Sequence, residues 1–136
     1  MGQLLFVAAQ AAQALALERL EPLGLAPRAW GVLSTLTESG PLSQIDLART
    51  LSIDRTAMVY LLDELEDEGL VTRERNPADR RSFLIHLTAR GRRLQEKAAA
   101  ELAGQAEALL APLGTAERRQ LVQLLSRVVA HWTAPS

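Results

Sequence analysis

Seven arginines fall between residues 72 and 93, at positions 73, 75, 80, 81, 90, 92 and 93, against only two acids, Glu74 and Asp79. Guanidinium groups at that density suit one chemistry above others, the forked pairing of phosphate oxygens, and a segregated cationic stretch attracts a polyanion such as double-stranded DNA. The chain as a whole conceals this stretch, because its 15 Lys and Arg face 16 Asp and Glu for a formal net charge of −1. Other chemistries are poorly supplied. There is no cysteine, which excludes disulfides, thiolate metal sites, thiol catalysis and thiol redox sensing. The two histidines, His86 and His131, read as a strand residue and a surface residue near a helix end, so no metal site is expected. No nucleophile and base pair, phosphate loop or carboxylate and histidine cluster stands out, and the chain reads as a non-enzyme without cofactors.

The elements that must position the arginines follow from periodicity. A chain of 136 residues with 48% apolar side chains suits one soluble folded unit, and 26 Leu and 22 Ala make helix the default. The spacing predicts helices over 3–21, 27–38, 43–51 and 55–68, then a change to extended chain. Pro27 occupies a favoured first-turn position, Ser43 with Asp46 has capping-box spacing, Asp54 is an N-cap candidate, and Gly69 suits a left-handed helix end. Residues 70–75 and 82–87 read as two strands joined through Asn76-Pro77-Ala78-Asp79-Arg80-Arg81, a hairpin with a basic tip. Thr88 is expected to cap a long projecting helix to about Leu110, and Thr115 to cap the last one. The fold class is thus mostly α with a small β-hairpin wing, a winged helix-turn-helix lobe plus a helical dimerisation region.

Helix, short helix, helix and hairpin in this order are the arrangement of a winged helix-turn-helix. The stretches Leu42-Ser43-Gln44, Asp46-Leu47-Ala48, Leu51-Ser52-Ile53-Asp54-Arg55-Thr56 and Leu62-Asp63-Glu64-Leu65-Glu66-Asp67-Glu68-Gly69-Leu70-Val71-Thr72-Arg73 are followed by Asp79-Arg80-Arg81 with Leu87-Thr88-Ala89-Arg90-Gly91. With these residues the chain resembles the multiple antibiotic resistance regulators, the MarR family, and the resemblance is most specific in the last pair of motifs, the family's wing signature. It implies a cytoplasmic homodimer, a sequence-specific regulator of transcription acting as a repressor on palindromic DNA, and release by a small aromatic or lipophilic effector. The alternative is a winged-helix protein-interaction module that has lost DNA binding, favoured by Tyr60 and Glu64 where relatives often carry basic residues.

On that reading the lobe spans 27–91, and residues 1–21 and 92–136 pair two copies. The first 17 residues carry no charged side chain, but Gln3, Gln10 and Gln13 interrupt the apolar run and Glu18 and Arg19 close it, so a packed helix is expected rather than an export or membrane segment. Leu121, Leu124, Leu125, Val128, Val129 and Trp132 recur on one side of the last helix, an apolar stripe for a symmetric partner. Arg55, Thr56, Ala57, Val59 and Tyr60 would read the major groove, with a salt bridge from Arg55 to Asp54 or Glu38 as its alternative use. Ser43, Gln44, Arg49, Arg73 and Arg75 would meet phosphates. By resemblance Arg80 and Arg81 enter the minor groove while Asp79 orients the arginine, and Phe6, Leu20, Arg28 and Trp30 line an effector crevice, although Trp30 equally suits a core role.

Overall fold

The protein is described by a computed structural model covering residues 1–134; positions 135 and 136, the end of the region expected to pair two copies, lie outside the described residues. Helix α1 (Gly2–Leu20) runs into a 3-10 turn (Glu21–Leu23), followed by α2 (Pro27–Ser39), β1 (Leu42–Ser43), α3 (Gln44–Leu51) and α4 (Arg55–Asp67). Strands β2 (Val71–Asn76) and β3 (Asp79–Leu87) form the hairpin, and α5 (Ala89–Leu109) and α6 (Thr115–Thr133) complete the chain. The fold is mostly helical with a small antiparallel sheet, as expected.

Local signals explain most boundaries. The Ser43 hydroxyl accepts from the Asp46 amide at 3.1 Å and the Asp54 carboxylate from the Ala57 amide at 2.8 Å, so α3 and α4 are both capped at their N-termini. Gly69, at φ 73°, turns the chain out of α4 and into β2. The Thr88 hydroxyl receives the Gly91 amide at 3.0 Å and donates to the Gly69 carbonyl at 2.6 Å, which caps α5 and ties its start to the end of α4.

Three details depart from the sequence reading. The sheet has a third strand, since β1 pairs with β3 through Leu42 with Ile85 and Ser43 with Leu84; two residues are too few to carry a period. The hairpin turn is Pro77-Ala78 alone, and Arg80 and Arg81 lie on β3 rather than in a six-residue loop, with a register shift at Arg75/Asn76 accommodating the tight turn. The N-cap of α6 is Gly114, not Thr115, because the Glu117 carboxylate reaches back to accept from the Gly114 amide at 2.9 Å.

One hydrophobic core holds these elements together. Leu33 of α2, Leu47 of α3, Met58 and Leu62 of α4, Ile85 of β3 and Ala98 of α5 are fully buried in it with Leu20 at the end of α1. At the joint between β2 and α5, a Cβ on Gly91 would stand 2.1 Å from the Leu70 carbonyl oxygen, so only glycine allows this approach. The outer helices contrast sharply. No residue of α6 is buried, and along α1 only Leu20 is.

Candidate nucleic-acid interface

Core packing decides which side of α4 is free. Met58, Leu62 and Leu65 point inward, and Arg55, Thr56, Val59 and Tyr60 are left exposed, Tyr60 by 68%. Ala57 does not join them: one position from Met58 and four from Leu61, it packs against the core and presents little surface to a base. Arg55 has no carboxylate within ion-pair distance among the described residues, so the alternative pairing with Asp54 or Glu38 is not formed. Its neighbours across a small apolar depression are Gln44, Ile45, Ala48 and Met58. Gln44 opens α3, and Arg49 stands exposed 3.4 Å from Asp46 on the same helix.

The hairpin sorts its four arginines into two kinds. Arg80 and Arg81 are exposed, with no ion pair among the described residues. Arg75 is exposed as well, but it donates to the Arg80 carbonyl at 2.7 Å and lies 5.4 Å from the centroid of the Phe83 ring, fixing one wing strand against the other. Arg73 departs from the expectation of a phosphate contact. Its side chain is 15% exposed and is committed to Asp63 at 2.6 Å, Glu66 at 3.5 Å and the Val59 carbonyl at 3.1 Å. Sequence cannot separate an arginine aimed at phosphate from one aimed at its own helix; the available signal was the pair of acids on α4, three residues apart, beside the strand that follows. Asp79 accepts the Arg81 backbone amide at 3.1 Å and so shapes the chain at Arg81, with no contact to the guanidinium.

Elsewhere the structure separates what the sequence reading had joined. Phe6 is exposed, Trp30 is half-buried against the core, and Leu20 at 0% exposure has no surface to offer a ligand. Arg28 lines a cleft of about 260 Å³ with Pro27, Gly31, Leu51, Ser52 and Ile53. Residues two apart on a helix project about 200° from each other, so Arg28 and Trp30 face different sides of α2. The four therefore do not form one crevice within the chain. On α6, Leu124, Leu125, Val128, Val129 and Trp132 are exposed, Trp132 by 84%, and Leu121 is partly buried. Arg118, which the sequence reading passed over, sets the start of that helix by donating to the carbonyls of Leu110 and Leu113 and pairing with Glu107 at 2.7 Å. His86 lies 3.4 Å from Glu74 across the hairpin, His131 is exposed on α6, and among the described residues no three His, Asp or Glu side chains converge as a metal set. No described helix is long and apolar enough to cross a membrane.

The same arrangement is found in known proteins. The family model described as MarR family matches residues 23–82. A MarR-family transcriptional regulator from Rhodococcus sp. RHA1 superposes with a TM-score of 0.88 at 30% identity, over 94% of this chain and 91% of that one. The regulator BpsR of Bordetella bronchiseptica, described for the regulation of its DNA binding by 6-hydroxynicotinic acid, gives a TM-score of 0.82 at 28% identity over 94% and 91%. The uncharacterized HTH-type transcriptional regulator YdgJ of Bacillus subtilis is 35% identical over 97 residues, 71% of this chain and 59% of that protein. The chain spans less than two thirds of the length of the curated relatives it matches. With its element order, its wing signature on β3 and near-complete superposition on a solved relative at 30% identity, the chain belongs to the MarR family of winged helix-turn-helix transcription regulators.

Proposed function

We propose that the protein is a homodimeric repressor that binds a palindromic DNA site, with α4 in the major groove and the hairpin wing in the adjacent minor groove. The observation that carries this reading is the division of charge on the reading surface. Arg55, Arg80 and Arg81 are exposed and unpaired among the described residues, while two of the acids on α4, Asp63 and Glu66, are occupied by Arg73. Free guanidinium groups on a helix end and on a hairpin tip are the two devices such lobes use, one for base edges and one for a narrow groove.

In this reading Arg55 pairs with a guanine edge, Thr56 and Val59 meet thymine methyl groups, Tyr60 bonds a phosphate or base edge, and Arg81 enters the minor groove with Arg80 beside it. Ser43, Gln44, Arg49 and Arg75 position the lobe on the backbone. The exposed apolar faces of α1 and α6 pair two copies, since burying side chains such as Trp132 and Val128 gains about 1.5–3 kcal/mol each when water is removed from them. Two lobes on one two-fold axis then call for half-sites about 10 bp apart. A small aromatic acid acting as effector is supported by BpsR, whose DNA binding 6-hydroxynicotinic acid regulates.

Sequencing genomic fragments captured by the purified protein tests the function. A recurring inverted repeat is the expected result. Failure to capture DNA would instead favour a lobe that docks on protein, where exposed Tyr60 and Glu64 would serve as contact residues.

A further inference from the structure

Arg73 stands on β2 but makes its contacts with α4. Besides its guanidinium contacts to the Val59 carbonyl, Asp63 and Glu66, its backbone amide donates to Glu66 at 3.3 Å. Positions 59, 63 and 66 follow one another at steps of four and three, so a single strand residue holds one face of the helix over two turns. Arg75, two residues along and therefore on the same face of β2, carries the linkage on to the Arg80 carbonyl. Two sets of contacts, joined through the β2 backbone between residues 73 and 75, thus tie the middle of α4, beside exposed Val59 and Tyr60, to the backbone of the wing arginines.

Stability alone accounts poorly for this arrangement. Asp63 and Glu66 remain about half exposed, so water screens both pairs, and the Arg73 Nε is buried with no hydrogen-bond partner, which opposes folding. What the contacts do supply is a fixed distance and angle, because the planar fork of a guanidinium holds its acceptors in a set geometry.

We propose that Arg73 is a positioning residue that locks α4 to the wing, so that major and minor grooves are read as one unit and sequence selectivity depends on a side chain that never touches DNA. The inference rests on the DNA-reading function proposed above. It assigns the acids Asp63 and Glu66, otherwise unfavourable on a helix that approaches a polyanion, a role as the anchor of that lock.

The test compares Arg73→Gln and Arg73→Lys with the wild type on two duplexes of equal length, one selected by the wild type from a random-sequence library and one scrambled. Arg73→Gln should reduce the ratio of selected to scrambled affinity about tenfold, the scale of one mismatched base pair. Binding to the scrambled duplex and the slope of log K against log salt should not change. Arg73→Lys, which keeps the charge and loses the fork, should restore only part of the ratio. A direct phosphate contact would instead weaken both duplexes alike and lower the slope by about 2 units per dimer, overturning the inference. Because the chain has no native cysteine, spin labels on Glu64→Cys and Ala78→Cys report the distance from helix to wing without DNA. A broadened or shifted distribution in Arg73→Gln is expected, and an unchanged one contradicts the lock whatever happens to affinity. A wild type that selects no sequence removes the DNA-reading function and this inference together; a wild type that selects while Arg73→Gln keeps the ratio removes the inference alone.

Discussion

Compare α4 and its hairpin with α1 and α6. In the first region, most groups that face water are charged or polar, with Val59 and Phe83 as exposed apolar exceptions, the N-terminus of the helix is capped by Asp54, and Arg73 and Arg75 fix helix to strand and strand to strand. In the second, Leu4, Phe6, Val7, Val128, Val129 and Trp132 stand exposed on helices whose inward faces contribute one buried residue, Leu20. Isolated apolar side chains on a surface need no explanation, but a row of them on each of two helices at opposite ends of the chain does. The α4 and hairpin region is held together within one chain, whereas the outer helices leave rows of apolar side chains uncovered, as the proposed dimer requires. That difference teaches that recognition and assembly fail separately, and substitutions on each side should show it.

The largest effect is expected from the outer helices. Replacing Leu125 and Val129 with Asp in one variant should abolish the dimer seen by sedimentation at micromolar concentration, and with it tight binding to any two-half-site duplex, while the lobe keeps its near-native circular dichroism. A dimer that survives would break the comparison. At the joint between the regions, Gly91→Ala forces a methyl group onto the Leu70 carbonyl and should cost about 1–3 kcal/mol of stability, read as a lowered Tm. On the reading surface, Arg55→Ala should cost about 1–3 kcal/mol on the best duplex and relax preference at one base pair in each half-site, with Tm and dimer unchanged. Unchanged binding would show that Arg55 is not a base reader. Arg81→Ala should lower the slope of log K against log salt by about 2 units, one for each wing. Asp79→Ala should weaken binding although it removes a negative charge, because the carboxylate holds the Arg81 backbone amide; tighter binding would mean that the wing acts by net charge alone. The smallest change is Asp54→Ala, about 1 kcal/mol of stability from the lost cap on the Ala57 amide.

Much of this is legible in the amino-acid sequence. Helix periods, Pro27, the Asp54 cap and Gly69 all act within a few residues, so their consequences can be read locally. The stripe from Leu124 to Trp132 was legible for the same reason, since three- and four-residue steps on a helix need no tertiary context. What escaped depends on distant partners. Strand β1 exists because β3 passes beside Leu42 and Ser43, Gly114 caps α6 because Glu117 folds back onto it, and Arg73 turns inward because α4 offers two carboxylates and a carbonyl. The four residues expected to line an effector crevice do not converge within one chain: Leu20 is fully buried, Phe6 is exposed, and Arg28 and Trp30 stand two apart on a helix and so face different sides.

The central claim, that two incomplete chains pair through their outer helices to place two finished reading surfaces on one duplex, is tested most directly by the mass of the complex. Sedimentation of the protein with its selected duplex should give two chains per duplex, and the variant with Asp at 125 and 129 should give no complex at the same concentration. A stable complex of one chain per duplex, with affinity equal to that of the wild type, would contradict it.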